Sequence, residues 1–300
     1  MGDNVNRWRT VFINEAHKLS LRLNHLVVKS SNCEVEINLD EIKNILIQDD
    51  KSVITVALLS SLSNKGIELI VVDASMMPNG VLMPLNNNAR ATKKKFEQIE
   101  HIKQYGDQCW QNIIKAKIFN MAVNLRLNAE KTPLLKKYHD QVEDGDKTNR
   151  EGMATKYYFN HYFGSNFKRQ EEDLINSCMN FTYQIVRSRI SQNIIAKGYD
   201  PSFAFFHRSE YNLFCLSDDL IEVYRPIVDY YIVHLLDENE QYEVLTNSLK
   251  VKLIDVLNFK IDFNGKQQTL DNTIAPYIDR VFSTEKEFIF PRLIIDYENS

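Results

Sequence analysis

Asp218-Asp219-Leu220-Ile221-Glu222-Val223-Tyr224-Arg225-Pro226 sets three carboxylates within five residues, interleaved with apolar side chains. At helical spacing Asp219 and Glu222 share one face. A surface pair between Glu222 and Arg225 accounts for part of this cluster. Adjacent acids on a half-buried helix still repel one another, and a bound metal ion would offset that repulsion. Two residues elsewhere could complete such a site. His207 follows the apolar run Phe203-Ala204-Phe205-Phe206, which puts it at the edge of a core; taken alone, a histidine there reads first as a satisfied core residue. Glu151 closes Thr148-Asn149-Arg150-Glu151, the S/T-x-x-E form of a capping box, and taken alone reads first as part of a helix start. One histidine with carboxylates from separate segments suits Mn2+, or Mg2+ with retained waters. The chemistry open to such a site is phosphoryl transfer, because the ion polarises a phosphodiester and no protein nucleophile is needed.

The elements that must position these residues fall into two parts. Residues 10–13, 25–29, 35–39 and 44–48 are short, rich in β-branched side chains and partly alternating, the pattern of strands. A helix is predicted over 52–64, closed at Lys65-Gly66, where glycine supplies a left-handed cap. Strands are predicted again at 68–73 and 80–83. After Pro84 the texture changes: Asn86-Asn87-Asn88-Ala89 has the composition of a linker, and the pattern beyond it is helical. Phe96, Ile99 and Ile102 make a short start. Ile114, Ile118, Met121 and Leu125 line one apolar face, and Ile175, Met179, Thr182, Val186, Ile190 and Ile194 line another through 174–196. The polar stretch 138–150 reads as a loop. The expected architecture is α+β, with a small N-terminal β-sandwich-like domain over 1–85 and a larger all-helical catalytic domain over 86–300.

Composition narrows the classes available. The chain has 300 residues, 44% hydrophobic and 25% charged, enough for at least one full core. No apolar run is long enough for a transmembrane helix, and the start lacks the basic and apolar regions of a secretory signal, so a cytosolic protein is expected. Asn6 stands where a myristoylation motif needs Ser or Thr. Cys33, Cys109, Cys178 and Cys215 are far apart and form no C-x-x-C pair; buried, reduced thiols are expected. Net charge is −4, distributed as −2 over 1–83, +5 over 84–150 and −7 over 151–300. A basic middle beside an acidic end fits phosphate contacts next to a carboxylate metal site, but Lys93, Lys94 and Lys95 fit a solvated helix face equally well.

Three blocks carry a family resemblance: Glu151-Gly152-Met153-Ala154 with Tyr157-Tyr158-Phe159, Met179-Asn180 with Tyr183 and Arg187, and His207-Arg208 with Tyr211-Asn212 running on to Asp218-Asp219, Glu222 and Arg225-Pro226. Together they resemble the universal CRISPR adaptation integrase/endonuclease, CRISPR-associated protein one. Trp8-Arg9-Thr10-Val11 and the His-Arg-x-x-Tyr-Asn form resemble its type II branch. The resemblance implies metal ligands at Glu151, His207 and Glu222, where some branches carry Asp at the last position, and a supporting or substrate-positioning acid at Asp219. It implies Mg2+ or Mn2+ as cofactor, and transesterification in which a protospacer 3′-hydroxyl attacks a phosphodiester of the CRISPR repeat, with disintegration and nuclease activity from the same site. It also implies a homodimer that assembles on CRISPR-associated protein two, with other type II proteins, including the RNA-guided effector, involved in motif selection. DNA would be held largely through phosphates, with Arg90, Lys93, Lys94 and Lys95 as candidates. A metal-dependent repair nuclease without joining activity and a non-catalytic DNA-binding scaffold are the competing readings. Alanine at Glu151, His207 or Glu222 is expected to abolish joining and leave the fold intact.

Overall fold

Short β-branched runs and one long, strongly periodic stretch divide the chain in the computed structural model, which describes residues 9–13, 16–31, 33–72, 78–82, 91–127, 132–237, 242–284 and 287–294. The chain forms two compact units, 1–89 and 90–300. Trp8, Arg90 and the linker-like Asn86-Asn87-Asn88-Ala89 lie outside the described residues.

Among the described residues the first unit holds eight strands and one helix. β1 (Arg9–Ile13), β5 (Ile42–Ile47), β7 (Glu68–Val72) and β8 (Pro78–Leu82) form a sheet in the order β1-β5-β7-β8, parallel except for the β7–β8 pair. β2 (Lys18–Arg22), β3 (His25–Lys29), β4 (Glu34–Asn38) and β6 (Val53–Ile54) form a second sheet in the order β4-β3-β2-β6. α1 (Val56–Lys65) starts at Thr55, whose side chain accepts from Leu58 N, and ends at Gly66 in the left-handed region with φ 68°. Both sheets and α1 contribute to one core, including Ile13, Leu19, Leu26, Ile45, Leu58 and Leu69. β2 and β6 are additions to the predicted strands. Lys18, Ser20 and Arg22 give β2 little β-propensity, and only Leu19 and the partly buried Leu21 mark its inner face. Cys33, in the turn between β3 and β4, is exposed, contrary to expectation; Cys109, Cys178 and Cys215 are buried.

Among its described residues the second unit is mainly helical, with one hairpin. Its helices are α2 (Ala91–Leu127), α3 (Pro133–Asp140), α4 (Arg150–Tyr162), α5 (Leu174–Ala196), α6 (Cys215–Ile221), α7 (Arg225–Asp237), α8 (Asn247–Ile254) and α9 (Leu270–Val281). The apolar stretches predicted around Ile99 and Ile114 are one continuous helix, α2, and residues expected in the 138–150 loop close α3. The hairpin joins β9 (Lys260–Phe263) to β10 (Lys266–Thr269). Its turn residues Asn264 and Gly265 both have positive φ, 57° and 73°, the Asn-Gly signature of a two-residue turn that an all-helical expectation passes over. No helix among the described residues is long and apolar enough to cross a membrane.

α5 is buried nearly all round and packs against α6, α7, α8 and α9. A polar chain threads this core. Asn124 of α2 donates to the Tyr158 hydroxyl of α4 at 2.7 Å, and the hydroxyls of Tyr158 and of Tyr183 on α5 both bond Asp229 of α7. Burial pushes the Asp229 carboxyl up to about 7, against the pull of those two hydroxyls, Arg169 and Arg225. A carboxyl raised on folding favours the folded state in its protonated form. Its contribution is whole below roughly pH 4 and is lost as pH rises through about 7. Asp229→Asn, neutral at every pH, is therefore expected to exceed the wild type in stability at pH 8 by on the order of 4 kcal/mol. It should also flatten the decline between pH 4 and 7 in a denaturant-unfolding series; equal stabilities at pH 8 would contradict this reading of Asp229.

Candidate metal centre

The acid cluster at 218–222 does not repel itself, because each carboxylate is neutralised by a different partner. Asp218 is held by Arg187 of α5, whose Nη2 lies 3.1 Å from Oδ2, and by the Asn212 amide at 2.6 Å. Asp219 is completely buried and accepts three backbone N–H groups, from Phe205 at 2.6 Å and from Phe206 and His207 at 3.0 Å. Its Oδ1 also accepts His207 Nδ1 at 2.7 Å. Glu222, just past the end of α6, is met by Arg225 Nε at 2.7 Å and Lys117 Nζ at 2.5 Å. The pair with Arg225 is not a surface pair, since the Glu222 side chain is only 9% exposed.

Glu151 reaches the same ammonium. Its Oε1 bonds Lys117 Nζ and accepts the Thr155 hydroxyl at 3.1 Å. It is free to do so because it does not cap its own helix. The Thr148-x-x-Glu151 spacing predicts a capping box, but α4 starts one residue later, at Asn149, whose side chain accepts from Gly152 N at 3.1 Å. Asp146 accepts the Arg150 and Glu151 amides at 2.9 and 3.0 Å. A Cβ at position 152 would stand 2.7 Å from Asn149 Oδ1, so glycine is what lets this cap close. The first turn of α4 is thereby satisfied by Asn149 and Asp146, and the Glu151 carboxylate points to Lys117.

Lys117 was not among the predicted site residues, and it organises the centre. It lies on α2, 6% exposed, with its Nζ shared by Glu151 and Glu222. Burial disfavours its charge, but the two carboxylates outweigh burial and hold its pKa above the ordinary lysine value. Burial likewise pushes Glu222 up, yet Arg225 and Lys117 prevail and leave it at about 2. Asn120, one turn further along α2, donates 3.0 Å bonds to the carbonyls of Val223 and Pro291; Asn124 donates to Pro226 O at 2.6 Å. Lys117, Asn120 and Asn124 recur at steps of three and four inside the stripe that Ile114, Ile118 and Met121 mark as buried. That polar run within an apolar face is the signal by which the sequence could have revealed them.

α2 also positions His207. Near its start Gln98 donates to the carbonyls of Asp200 and Phe203, both at 2.8 Å, and accepts Asp200 N at 2.8 Å. Gln98 is buried there and Phe96 is exposed, the reverse of the periodicity drawn through Phe96. Trp110 stacks on Phe206 at 4.3 Å and presents its face or edge to His207 at 5.6 Å in a T-shaped contact. His207 is thus no core residue: its side chain is 43% exposed, fixed by Asp219 and by aromatic rings. The Asp219 bond is the largest of the influences that raise its pKa above the ordinary histidine value. With Nδ1 committed to Asp219, Nε2 is the ring nitrogen available to a ligand.

The structure therefore brings Glu151 and Glu222 together on one cation and sets His207 on Asp219. Among the described residues, no three His, Cys, Asp or Glu side chains stand together as a metal-binding group. The donor set nonetheless fits a hard divalent ion: two carboxylates already converge on one positive centre, and an imidazole is held in one tautomer by a buried acid. Lys93 and Lys94 both pair with Glu97, and Lys95 pairs with Asp200 at 3.0 Å, so these candidate phosphate contacts lie in surface ion pairs.

Two outcomes follow. Glu222→Ala leaves Lys117 and Arg225 without their shared acid and is expected to lower unfolding stability by roughly 3–5 kcal/mol; it is not a neutral substitution, and a denaturation midpoint equal to that of the wild type would contradict the geometry. In Asp219→Asn the His207 ring is expected to titrate at lower pH than in the wild type, read from its ring resonances by NMR, and an unchanged titration would show that Asp219 does not hold the ring.

A model of the family described as CRISPR associated protein Cas1 matches residues 11–244. The CRISPR-associated endonuclease Cas1 of Neisseria meningitidis serogroup C (strain 8013) is 32% identical over 256 residues, 85% of this chain and 84% of the relative. Among solved structures, a casposase bound to integration product is similar with a TM-score of 0.77 at 16% identity, covering 94% of this chain and 92% of that one. A Cas1 protein from Thermotoga maritima gives a TM-score of 0.75 at 16% identity, covering 93% and 99%. A chain of a Cas6-RT-Cas1–Cas2 complex gives 0.73 at 16% identity, covering 92% of this chain and 35% of that one. At such identities the structural likeness shows the fold, whereas the family model covers most of the sequence: the chain belongs to the CRISPR-associated Cas1 family.

Proposed function

We propose that this Cas1-family chain is a divalent-metal-dependent DNA integrase that joins the 3′-hydroxyl ends of a protospacer to a CRISPR repeat by transesterification, with Glu151, His207 and Glu222 as ligands of Mg2+ or Mn2+. The observation that carries the reading is the convergence of two carboxylates, from α4 and from the turn after α6, on a single cation. The endonuclease name of the Neisseria relative and the integration product held by the casposase support DNA cleavage and joining as the chemistry. When bound, a divalent ion supplies the Lewis-acid charge that phosphodiester exchange needs in place of a protein nucleophile.

The chain's own residues do the positioning. Asp219 accepts Nδ1–H of His207 and so directs the Nε2 lone pair outward, while its three amide bonds fix the backbone that carries the ring. Trp110 and Phe206 pack against the imidazole and limit water on that side. Arg225 holds one oxygen of Glu222 and leaves the other for the shared cation. Disintegration would be the same exchange run in reverse, and cleavage the same exchange with water in place of the attacking 3′-hydroxyl.

The partners that fit this activity are protospacer and repeat DNA, a second copy of the chain, and CRISPR-associated protein two, whose Cas2 name appears with Cas1 in the complex of similar fold. Other type II CRISPR proteins, including the RNA-guided effector, would take part in motif selection. Such an assembly works on the chromosome, in the prokaryotic cytoplasm. Binding through phosphates implies affinity that falls steeply with salt.

The test is a joining assay with labelled protospacer, a plasmid bearing leader and repeat, protein two, and Mg2+ or Mn2+. Joined product is expected with the wild type, with loss of at least roughly a hundredfold in Glu151→Gln, His207→Ala and Glu222→Gln variants that keep their fold by circular dichroism. Wild-type joining by His207→Ala would overturn the ligand set. Cleavage without joining would favour a repair nuclease, and binding without turnover a scaffold.

A further inference from the structure

The charge balance of the centre bears on how a metal ion enters it. Glu151 and Glu222 bring two negative charges; Lys117 and Arg225 bring two positive ones, each within ion-pair distance. The four side chains are already neutral as a group. A divalent ion added between the same carboxylates would leave an excess of positive charge at a place where Lys117 is 6% and Glu222 9% exposed, so that water screens little on that side, although Glu151 is 30% exposed. Lys117 Nζ moreover takes one oxygen of each acid, the same oxygens that a shared cation would use.

Resting on the reading of Glu151 and Glu222 as metal ligands, we infer that Lys117 is a built-in counter-ion of the site, and that a divalent cation binds by displacing its ammonium from between the two carboxylates. Metal binding is then an exchange of one cation for another. The lysine preserves the two acids in a converged arrangement, which removes the cost of bringing like charges together, and in return it weakens the net affinity for the metal. It is a positioning residue, acting through Glu151 and Glu222. Arg225 cannot take this part, because it bonds the other oxygen of Glu222 from the start of α7.

The two roles separate in measurement. Removing the positive charge should make the protein less stable without metal and tighter for metal, whereas a merely structural lysine would lower stability and leave affinity unchanged or weaker. The probe is Mn2+ alone, titrated against the full-length chain, with free Mn2+ read by its EPR signal and melting temperatures measured with and without Mn2+. Lys117→Met is expected to bind Mn2+ at least about tenfold more tightly than the wild type, and to gain more in melting temperature on adding Mn2+. Lys117→Gln, whose amide can still donate to both acids, covers the case in which the methionine variant does not fold, with the same direction expected. Lys117→Arg, which keeps the charge, should stay near the wild type. Affinity in Lys117→Met and Lys117→Gln equal to or weaker than wild type overturns the displacement, while weakened binding in Glu151→Gln and Glu222→Gln leaves the metal site itself standing. Wild-type Mn2+ binding that is insensitive to both glutamine variants overturns the ligand assignment and the displacement with it.

Discussion

Two carboxylates held within reach of each other, one buried and one partly buried, repel unless a cation stands between them, and much of the larger unit of this chain is arranged around that constraint. Lys117 supplies the cation for Glu151 and Glu222, and Arg225 secures the second oxygen of Glu222, whose pKa the two cations hold low. The same rule governs the neighbours. Arg187 answers Asp218, and three backbone amides with an imidazole answer Asp219. Every acid of the cluster is thus committed in a direction of its own. The spacing of the cluster along the chain reflects this: Asp218 faces α5, Asp219 faces the loop before it, and Glu222 faces α2.

α2 is the element that ties these directions together. Along one helix, Gln98 holds the segment at 200–203, Trp110 packs against Phe206 and His207, Lys117 bridges the two glutamates, and Asn120 and Asn124 hold the carbonyls of Val223 and Pro226. Residues far apart in sequence are set by one rigid rod, so their relative placement depends on few degrees of freedom. The buried polar chain from Asn124 through Tyr158 to Asp229 and Tyr183 fixes α4, α5 and α7 to that rod. A site whose chemistry depends on closely set charges is supported by a core that is itself partly polar and hydrogen-bonded.

Much of this was legible in the sequence where periodicity is strong or where a rule is local. The span of α5 and the Gly66 cap follow from apolar spacing and from a glycine that must adopt positive φ. The centre was legible unevenly. The acids at 218–222 invite a cation by their density alone, but spacing could not say that the protein supplies cations of its own, because Lys117 and Arg187 arrive from other helices. Glu151 was hidden behind a plausible cap: Thr148 and Asn149 compete for the same helix start, and Asn149 prevails by adopting the left-handed conformation with Gly152 making room. His207 looked like a core residue because the run before it is apolar, yet Phe206 turns its ring onto Trp110 and leaves the histidine half exposed. The β9–β10 hairpin was missed although Asn264-Gly265 announces it, since strands that short carry little periodicity of their own.

Membership of the Cas1 family and the convergence of Glu151 and Glu222 on Lys117 are the two grounds for proposing a metal centre here. Glu151, His207 and Glu222 are proposed to hold one divalent ion together, and His207 is the proposed ligand whose role differs most from what its single-residue surroundings would suggest. The most direct measurement is pulsed EPR of Mn2+ bound to the protein, which detects hyperfine coupling from a directly coordinated imidazole nitrogen. Such a coupling is expected in the wild type, with its loss in His207→Ala. Bound Mn2+ without nitrogen coupling, or coupling that persists in His207→Ala, would contradict that ligand set.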